Sequence, residues 1–329
     1  MILDTTFPPD PRVENETASL IAEGHQVILF CFSYNKKFKK HELFKGVQVK
    51  RYFCNKITYK LSALAYTLPF YHIITYFLIR SFLSVNKVDV IHVHDIQIAR
   101  SVFWANRKKL PVVLDLHENR PEIMKFYSHV NSKMGKLLIY PKLWKKFEYR
   151  YIKKADKVIV VTESAKQYYL KEINKLNPDK FIVLPNVIRK SFFQDYTLNK
   201  DILNRFKGEK NILYVGETGL RRGTLDLIKA IDLIKTEIPD ILLIIVGKSK
   251  TDYVLRNEIK KRKLERYVVM EGWKDFRLFQ SYMHVSKLGL IPLHRNIHHD
   301  TTFANKLFQY ISMGLPVVAS DSTAQKRVI

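Results

Sequence analysis

Short apolar runs rich in β-branched residues alternate along this chain with segments of helical periodicity, and this alternation constrains the fold more than any other feature. VILFCF (27–32), VDVIHV (88–93), PVVLDL (111–116) and VIVVT (158–162) form one series; NILYV (211–215), ILLIIV (241–246), YVVM (267–270), LGLIPL (288–293) and PVVAS (316–320) form another. Runs that are apolar throughout belong to strands covered on both faces, and helices between them make parallel β-α-β units. The expected class is α/β, with two Rossmann-like halves in series. Apolar periodicity fades between about 188 and 208, which divides the chain into residues 1–190 and 205–329. Ile2 and Leu3 are too few for a buried strand, so the first strand is expected to be clipped, its missing part preceding Met1.

Residues 288–321 pack strand, polar loop, helix and second strand into one unit. The loop 294–302 carries Arg295, Asn296, His294, His298, His299, Asp300, Thr301 and Thr302 with almost nothing apolar. At the carboxyl end of a strand and the amino end of a helix, such a loop suits an anion, although a solvated surface loop reads the same way. GETGLRRG (216–223) has a similar position. Its glycines let backbone amides approach a phosphate and its guanidiniums neutralise one; the alternative is an ordinary strand-to-helix turn. No Gly-Lys-Ser/Thr ends this loop, which excludes a Walker motif. His117 and Glu118 follow a buried strand and either face a pocket or cap the next helix. His298, His299 and Asp300 lack a third ligand at helical spacing, so no metal is expected there. No Asp-x-Asp occurs anywhere in the chain.

A formal charge of +25 implies an anionic partner: phosphorylated small molecules, nucleic acid or an anionic membrane. The basic, aromatic segment 140–154 suits a lipid face, with Lys and Arg attracting phosphates and Trp and Tyr inserting; nucleic acid or a solvated helix face are the alternatives. No helix-turn-helix, zinc or RNA-binding motif accompanies it, so no nucleic-acid partner is expected. Residues 61–79 contain no charged side chain but include Pro69 and His72, which reads as a buried or interfacial helix or a membrane span. Cys31 and Cys54 have apolar neighbours, as buried thiols do. The start of the chain has neither the basic beginning nor the apolar core of a leader, which points to the cytoplasm.

Taken in order, FPPDPRVENE (7–16), EGHQV (23–27), DVIHVHD (89–95), DLHE (115–118), ADKVIVVTES (155–164), LPNV (184–187), YVGETGLRRG (214–223), IIVG (244–247) and NKLFQYISMGLPVVAS (305–320) resemble the family-4, or bacterial group-1, GT-B glycosyltransferases. The resemblance implies two Rossmann-like domains with the cleft between them. It implies a retaining, metal-independent transfer of a sugar from a nucleotide-diphosphate donor, with no cofactor, to a glycan or lipid-linked acceptor of surface polysaccharide. Together with the basic, aromatic first domain, it suggests a peripheral place on the inner face of the membrane, at an anionic surface. His117, Arg222 and Lys306 are then the candidate catalytic residues. Gly216, Glu217, Arg221, Gly247, Gly272, Trp273, Lys274, Asp300, Thr301, Thr302, Asn305 and Gln309 are candidates for the donor site, and Arg12, Asp95 and Glu118 for the acceptor side.

Two departures qualify this. The family's paired glutamates fall on Thr301 and Gln309, which leaves Asp300 or Lys306 to take over part of their role. The chain stops just before the family's last helices, so a truncated second domain is expected, and a non-catalytic nucleotide-sugar-binding or membrane-associated scaffold is the alternative.

Overall fold

In the computed structural model, which describes residues 1–208 and 210–329, the chain divides into two units, Met1–Pro185 and Asn186–Ile329. The first contains β1 (Ile28–Ser33), β2 (His41–Phe44), β3 (Val47–Phe53), β4 (Ile91–His94), β5 (Val112–Leu116), β6 (Lys157–Val160) and β7 (Phe181–Val183). These are ordered β1-β3-β2 and β4-β5-β6-β7, and Ile2 joins the two sets by bridging Phe30 and Val93 in parallel. The Ile2 N–H donates to the His92 carbonyl at 2.8 Å and the His94 N–H donates to the Ile2 carbonyl at 2.9 Å. The first strand, short as it is, therefore sits between β1 and β4. Only β2 runs antiparallel to its neighbour. Main-chain pairing to β3, rather than any apolar pattern, makes this exposed edge a strand.

Two helical stretches of this unit are broken by proline. Residues 61–79 contribute to separate helices, Lys56–Ser62 and Phe70–Val85, with Pro69 as the N-cap of the second. Proline has no N–H to continue a helix but is suited to begin one. Among the described residues no helix is long and apolar enough to cross a membrane. The basic, aromatic stretch is likewise divided, into Lys133–Leu138 and Pro141–Lys154, because Pro141 holds Tyr140 extended. Trp144 and Tyr151 of the latter are buried in the core with Tyr66 and Val93. These rings pack inward, which corrects the expectation that they insert into lipid.

The second unit contains β8 (Asn211–Val215), β9 (Leu242–Val246), β10 (Val268–Gly272), β11 (Leu288–Ile291) and β12 (Val317–Ala319). All pair in parallel in the order β10-β9-β8-β11-β12. The stretch without periodicity belongs to this unit: Phe192, Ile202 and Phe206 lie in its core, on or beside the helices Ser191–Gln194 and Lys200–Arg205. Helices this short show no repeat for a periodicity search to find. The strand order reverses between β8 and β11, so the loops at their carboxyl ends diverge and leave a crevice, the usual ligand position in an open α/β sheet.

Candidate functional site

At that crevice β8 ends on Val215 and the chain turns at Gly216, whose backbone lies so close to the loop after β9 that a Cβ on Gly247 (φ 151) would meet the Gly216 carbonyl at 1.7 Å. On the other side, Gly223 (φ 73) abuts β11's exit, and a Cβ there would lie 1.7 Å from the Pro292 carbonyl. Glycine is required at both places by close backbone approach and positive φ. Gly223 is also the N-cap of the helix Thr224–Ile234, whose free amides and dipole favour an anion.

Lys306 stands in the first turn of the helix Asn305–Ser312. Its side chain is buried, and its Nζ lies 3.4 Å from the centroid of the Tyr214 ring without a hydrogen-bond partner among the described residues. Burial, reinforced by the Arg222 guanidinium, pushes its pKa well below the usual lysine value, against an opposing pull from Glu217. A Cβ at Gly216 would come within 3.2 Å of this amine, so Lys306 reaches the first residue of the loop 216–223. Arg221 and Arg222 share one Glu217 oxygen, at 3.1 and 3.4 Å. His298 and His299, on the helix Ile297–Thr301, are buried and held neutral: burial first, then neighbouring positive groups including both arginines, pushes their pKa values down to about 3 and about 4. The Tyr310 hydroxyl accepts from the Val215 N–H at 2.9 Å and donates to the Leu213 carbonyl at 3.2 Å, pinning the Lys306 helix to β8.

The other expected donor residues divide. Glu217 serves as the arginines' counterion. Gly272 joins the loops through its carbonyl, which accepts from the Gly247 N–H at 2.8 Å; Trp273 is exposed, and Lys274 pairs with Glu271 at 3.3 Å. Asn305 is exposed at its helix start, and Gln309 is half-buried one turn further along. Asp300 is engaged within the protein. Its Oδ1 accepts from the Thr323 N–H (2.7 Å) and hydroxyl (3.0 Å), tying down the helix Thr323–Lys326, and also meets Arg295. The Thr301 and Thr302 hydroxyls donate to carbonyls of their own turn, Ile297 and His298 at 2.7 Å each.

A second polar cluster lies in the first unit. Helical spacing puts Arg12 and Glu16 on one face of Pro11–Ala22, and strand alternation puts His92 with His94, and Asp115 with His117, on one face of the sheet. Arg12 grips Asp115 with two hydrogen bonds, 3.0 and 2.9 Å, meets Glu16 at 3.0 Å and donates to the Leu184 carbonyl at 3.0 Å. His94 Nδ1 and His117 Nε2 are 3.1 Å apart. Burial by itself lowers the His117 pKa, but the Asp95 and Asp115 carboxylates reverse this and raise it to about 9. Burial would raise Asp115, yet His117, His92 and Arg12 hold it well below the usual carboxylate range. Glu16 is pushed up to about 8, by burial and then by Asp115. Asp95 adopts φ 65, a strained conformation for a residue with a side chain, and accepts the His117 N–H at 3.3 Å. Glu118 pairs with Arg120 at 3.0 Å.

Glu16, His92, His94 and Asp115 each offer a ligand atom, all within 4.8 Å of one another. The Arg12 guanidinium already occupies both carboxylates, so a metal ion would compete with it for the same oxygens. Glu16 and His92 were given no role by sequence reasoning, nor were His298 and His299 expected beneath the arginines. The His-x-His spacing in β4 could have revealed the first cluster; nothing local could have revealed the second.

Residues 12–192 match the model of Glycosyltransferase Family 4, and residues 195–329 that of Glycosyl transferases group 1. A 2-deoxystreptamine N-acetyl-D-glucosaminyltransferase of Niallia circulans is 22% identical over 251 residues, 72% of this chain and 59% of the relative, so the chain spans less than two thirds of that relative's length. Among solved structures, sucrose-phosphate synthase from Thermosynechococcus elongatus superposes with a TM-score of 0.72 at 16% identity, covering 97% of this chain and 80% of its own. Anabaena HepE in complex with UDP gives 0.63 at 16%, covering 100% and 82%. Trehalose-6-phosphate from E. coli bound with UDP-2-fluoro glucose gives 0.70 at 13%, covering 99% and 85%. These likenesses show the GT-B fold of two Rossmann-like domains.

Proposed function

Since the chain belongs to glycosyltransferase family 4, with a group-1 model matching its second unit, we propose that it is a retaining glycosyltransferase that moves a sugar from a nucleotide-diphosphate donor. The acceptor is a glycan or lipid-linked molecule of surface polysaccharide synthesis, met at the inner face of the membrane. The observation that carries the donor assignment is Lys306, a buried amine without a hydrogen-bond partner among the described residues, at the switch point of a parallel sheet. A buried, unpartnered amine is costly unless a ligand completes it.

Transfer breaks the bond between the anomeric carbon and the donor phosphate oxygen, and the electron pair leaves on the diphosphate. The acceptor oxygen bonds to the same face of the sugar, and its proton passes to the departing phosphate. The main demand is therefore stabilisation of negative charge on the leaving group. Arg221, Arg222 and Lys306, with the amino end of Thr224–Ile234, supply it in place of a metal ion. Near neutral pH His117 is a cation and so donates a hydrogen bond; its role in this reading is to hold a sugar hydroxyl rather than to act as a base. Arg12, Asp95 and Glu118 shape the acceptor side. Gly272, Trp273 and Lys274 contact the base through main chain, and Gln309 contacts the ribose.

UDP-sugars are the first donors to test, because HepE and the E. coli trehalose-6-phosphate protein were solved with UDP or a UDP-sugar. Calorimetric titration with UDP, GDP, ADP and CMP-sugars should identify one tight ligand, and Arg222→Ala should abolish its binding. Loss of the sugar from the donor in the presence of acceptor completes the assignment. A second reading, a nucleotide-sugar-binding scaffold, draws on Thr301, whose position holds no carboxylate and whose hydroxyl bonds its own helix. Tight binding without turnover against any lipid-linked or glycan acceptor, in a chain of full family length, would favour that reading.

A further inference from the structure

The helix Phe70–Val85 is apolar on both faces. Its buried face carries Tyr71, Ile79, Phe82 and Leu83 together with His72 and Thr75, and the His72 Nδ1 lies 2.9 Å from the Ser101 hydroxyl of the helix Ile96–Ala105. Its outward face carries Phe70, Ile73, Ile74 and Phe77 at successive helical positions, between 38% and 63% exposed. A surface helix ordinarily turns such a stripe inward and its polar residues to water. Ile57, 70% exposed on the adjoining helix Lys56–Ser62, extends the patch. Contiguous exposed apolar surface of this kind marks an interaction site.

The charges around it identify the occupant. Lys56 and Lys60 are exposed on the adjoining helix, and Arg80 and Arg107 both donate to the Tyr76 hydroxyl, at 3.3 and 3.0 Å, which holds two guanidiniums beside the stripe. No acidic residue occurs in 55–88 or 96–110, the segments that build this face. Apolar side chains rimmed only by cations complement hydrocarbon beneath phosphate headgroups. A second copy of this chain, itself at +25, would bring like charges together.

We propose that this face lies on an anionic bilayer, with Phe70, Ile73, Ile74 and Phe77 entering the boundary between headgroups and acyl chains, and Lys56, Lys60, Arg80 and Arg107 meeting lipid phosphates. It deepens the proposed function, resting on that reading for the acceptor's presence in the membrane but not for the binding itself. The lipid contact is thus made by the uncharged stretch that Pro69 interrupts and not by the helix Pro141–Lys154.

Flotation of the full chain with phosphatidylcholine vesicles, alone or mixed with phosphatidylglycerol, tests it. Binding is expected only to the mixed vesicles and is expected to weaken with salt. The pair Ile73→Glu and Phe77→Glu should weaken it roughly tenfold or more, since each buried apolar side chain contributes strongly to insertion. The pair Arg80→Gln and Arg107→Gln should cost about fivefold per cation and flatten the salt dependence. Nucleoside diphosphate affinity, measured on the same samples, should be unchanged, which separates a lost surface from a lost fold. Equal binding by wild type and both paired variants overturns the proposal. So does a dimer that Ile73→Glu and Phe77→Glu dissolve while vesicle binding persists. Vesicle binding by a protein that takes up no nucleotide would instead refute the donor assignment and leave the membrane face standing.

Discussion

The histidine cluster of the first unit and the arginine-lysine cluster of the second balance charge in opposite ways. In the first, Arg12 and His117 are matched by Asp115 and Asp95, and Glu16 holds its proton to about pH 8. In the second, Arg221 and Arg222 share the Glu217 carboxylate, which also pulls on the buried Lys306 amine. The first cluster matches its charges internally, although the Glu16 oxygens and the Nε2 atoms of His92 and His94 make no hydrogen bond among the described residues. A cluster with excess positive charge is completed only by an anion. The two clusters therefore differ in how much of their charge is balanced inside the protein.

Removing one member from each cluster should break the comparison most visibly. Arg12→Met removes from buried Asp115 the guanidinium that donates two hydrogen bonds to it, so chemical denaturation should show a loss of about 3–5 kcal/mol. Lys306→Met should do the reverse to stability. The wild-type amine is buried with a depressed pKa, so the unfolded chain binds a proton that the folded one does not, and wild-type stability rises with pH up to the ordinary lysine range. The methionine variant should melt higher at neutral pH and lack that rise. Its affinity for the nucleoside diphosphate should fall by roughly 10- to 150-fold, as for the loss of a charge-assisted hydrogen bond of about 1.5–3 kcal/mol. If Lys306→Met binds nucleotide normally, the excess charge is not functional and the contrast fails.

Titration sharpens the same contrast. The folded-state pKa of His117 is raised from 6.5 to about 9, so its contribution to stability is complete below pH 6.5 and disappears as the pH rises through 9. His117→Gln should flatten the fall in melting temperature across that window, and a nuclear magnetic resonance titration of the imidazole should place its midpoint near the upper end. The smallest effect expected is that of Gln309→Glu. A carboxylate at this half-buried position would accept ribose hydroxyls with charge assistance, tightening nucleotide binding by about fivefold, or ~1 kcal/mol. An unchanged affinity would show that Gln309 does not touch the ribose.

Much of this architecture was legible beforehand. The apolar runs located the strands of both sheets, with the exposed edge strand His41–Phe44 as an exception, since it is held by main-chain pairing alone. Helix ends were less accessible where proline intervened, at Pro69 and Pro141, because periodicity continues across a break that backbone chemistry imposes. At the sites, Lys306 and the two arginines were recognisable from type and position. The contacts of Asp300 were not legible: its side chain is drawn to Thr323, 23 residues away in sequence but adjacent in space. Trp144 was misread for a related reason, since a basic helix can still turn its aromatic rings to the core.

The sequence by itself determined the order of strands and helices and the loops that carry polar residues, because hydrophobic periodicity and turn chemistry are local properties. Only the tertiary structure decided the state of those residues. Arg12 and Asp115 are separated by 103 positions, yet the guanidinium helps to hold the carboxylate ionised, and the Lys306 amine, without a hydrogen-bond partner among the described residues, lies over the Tyr214 ring of β8. Desolvation and Coulomb interaction act through space over a few ångströms. The protonation and partners on which the proposed chemistry rests therefore became visible only once the chain was folded.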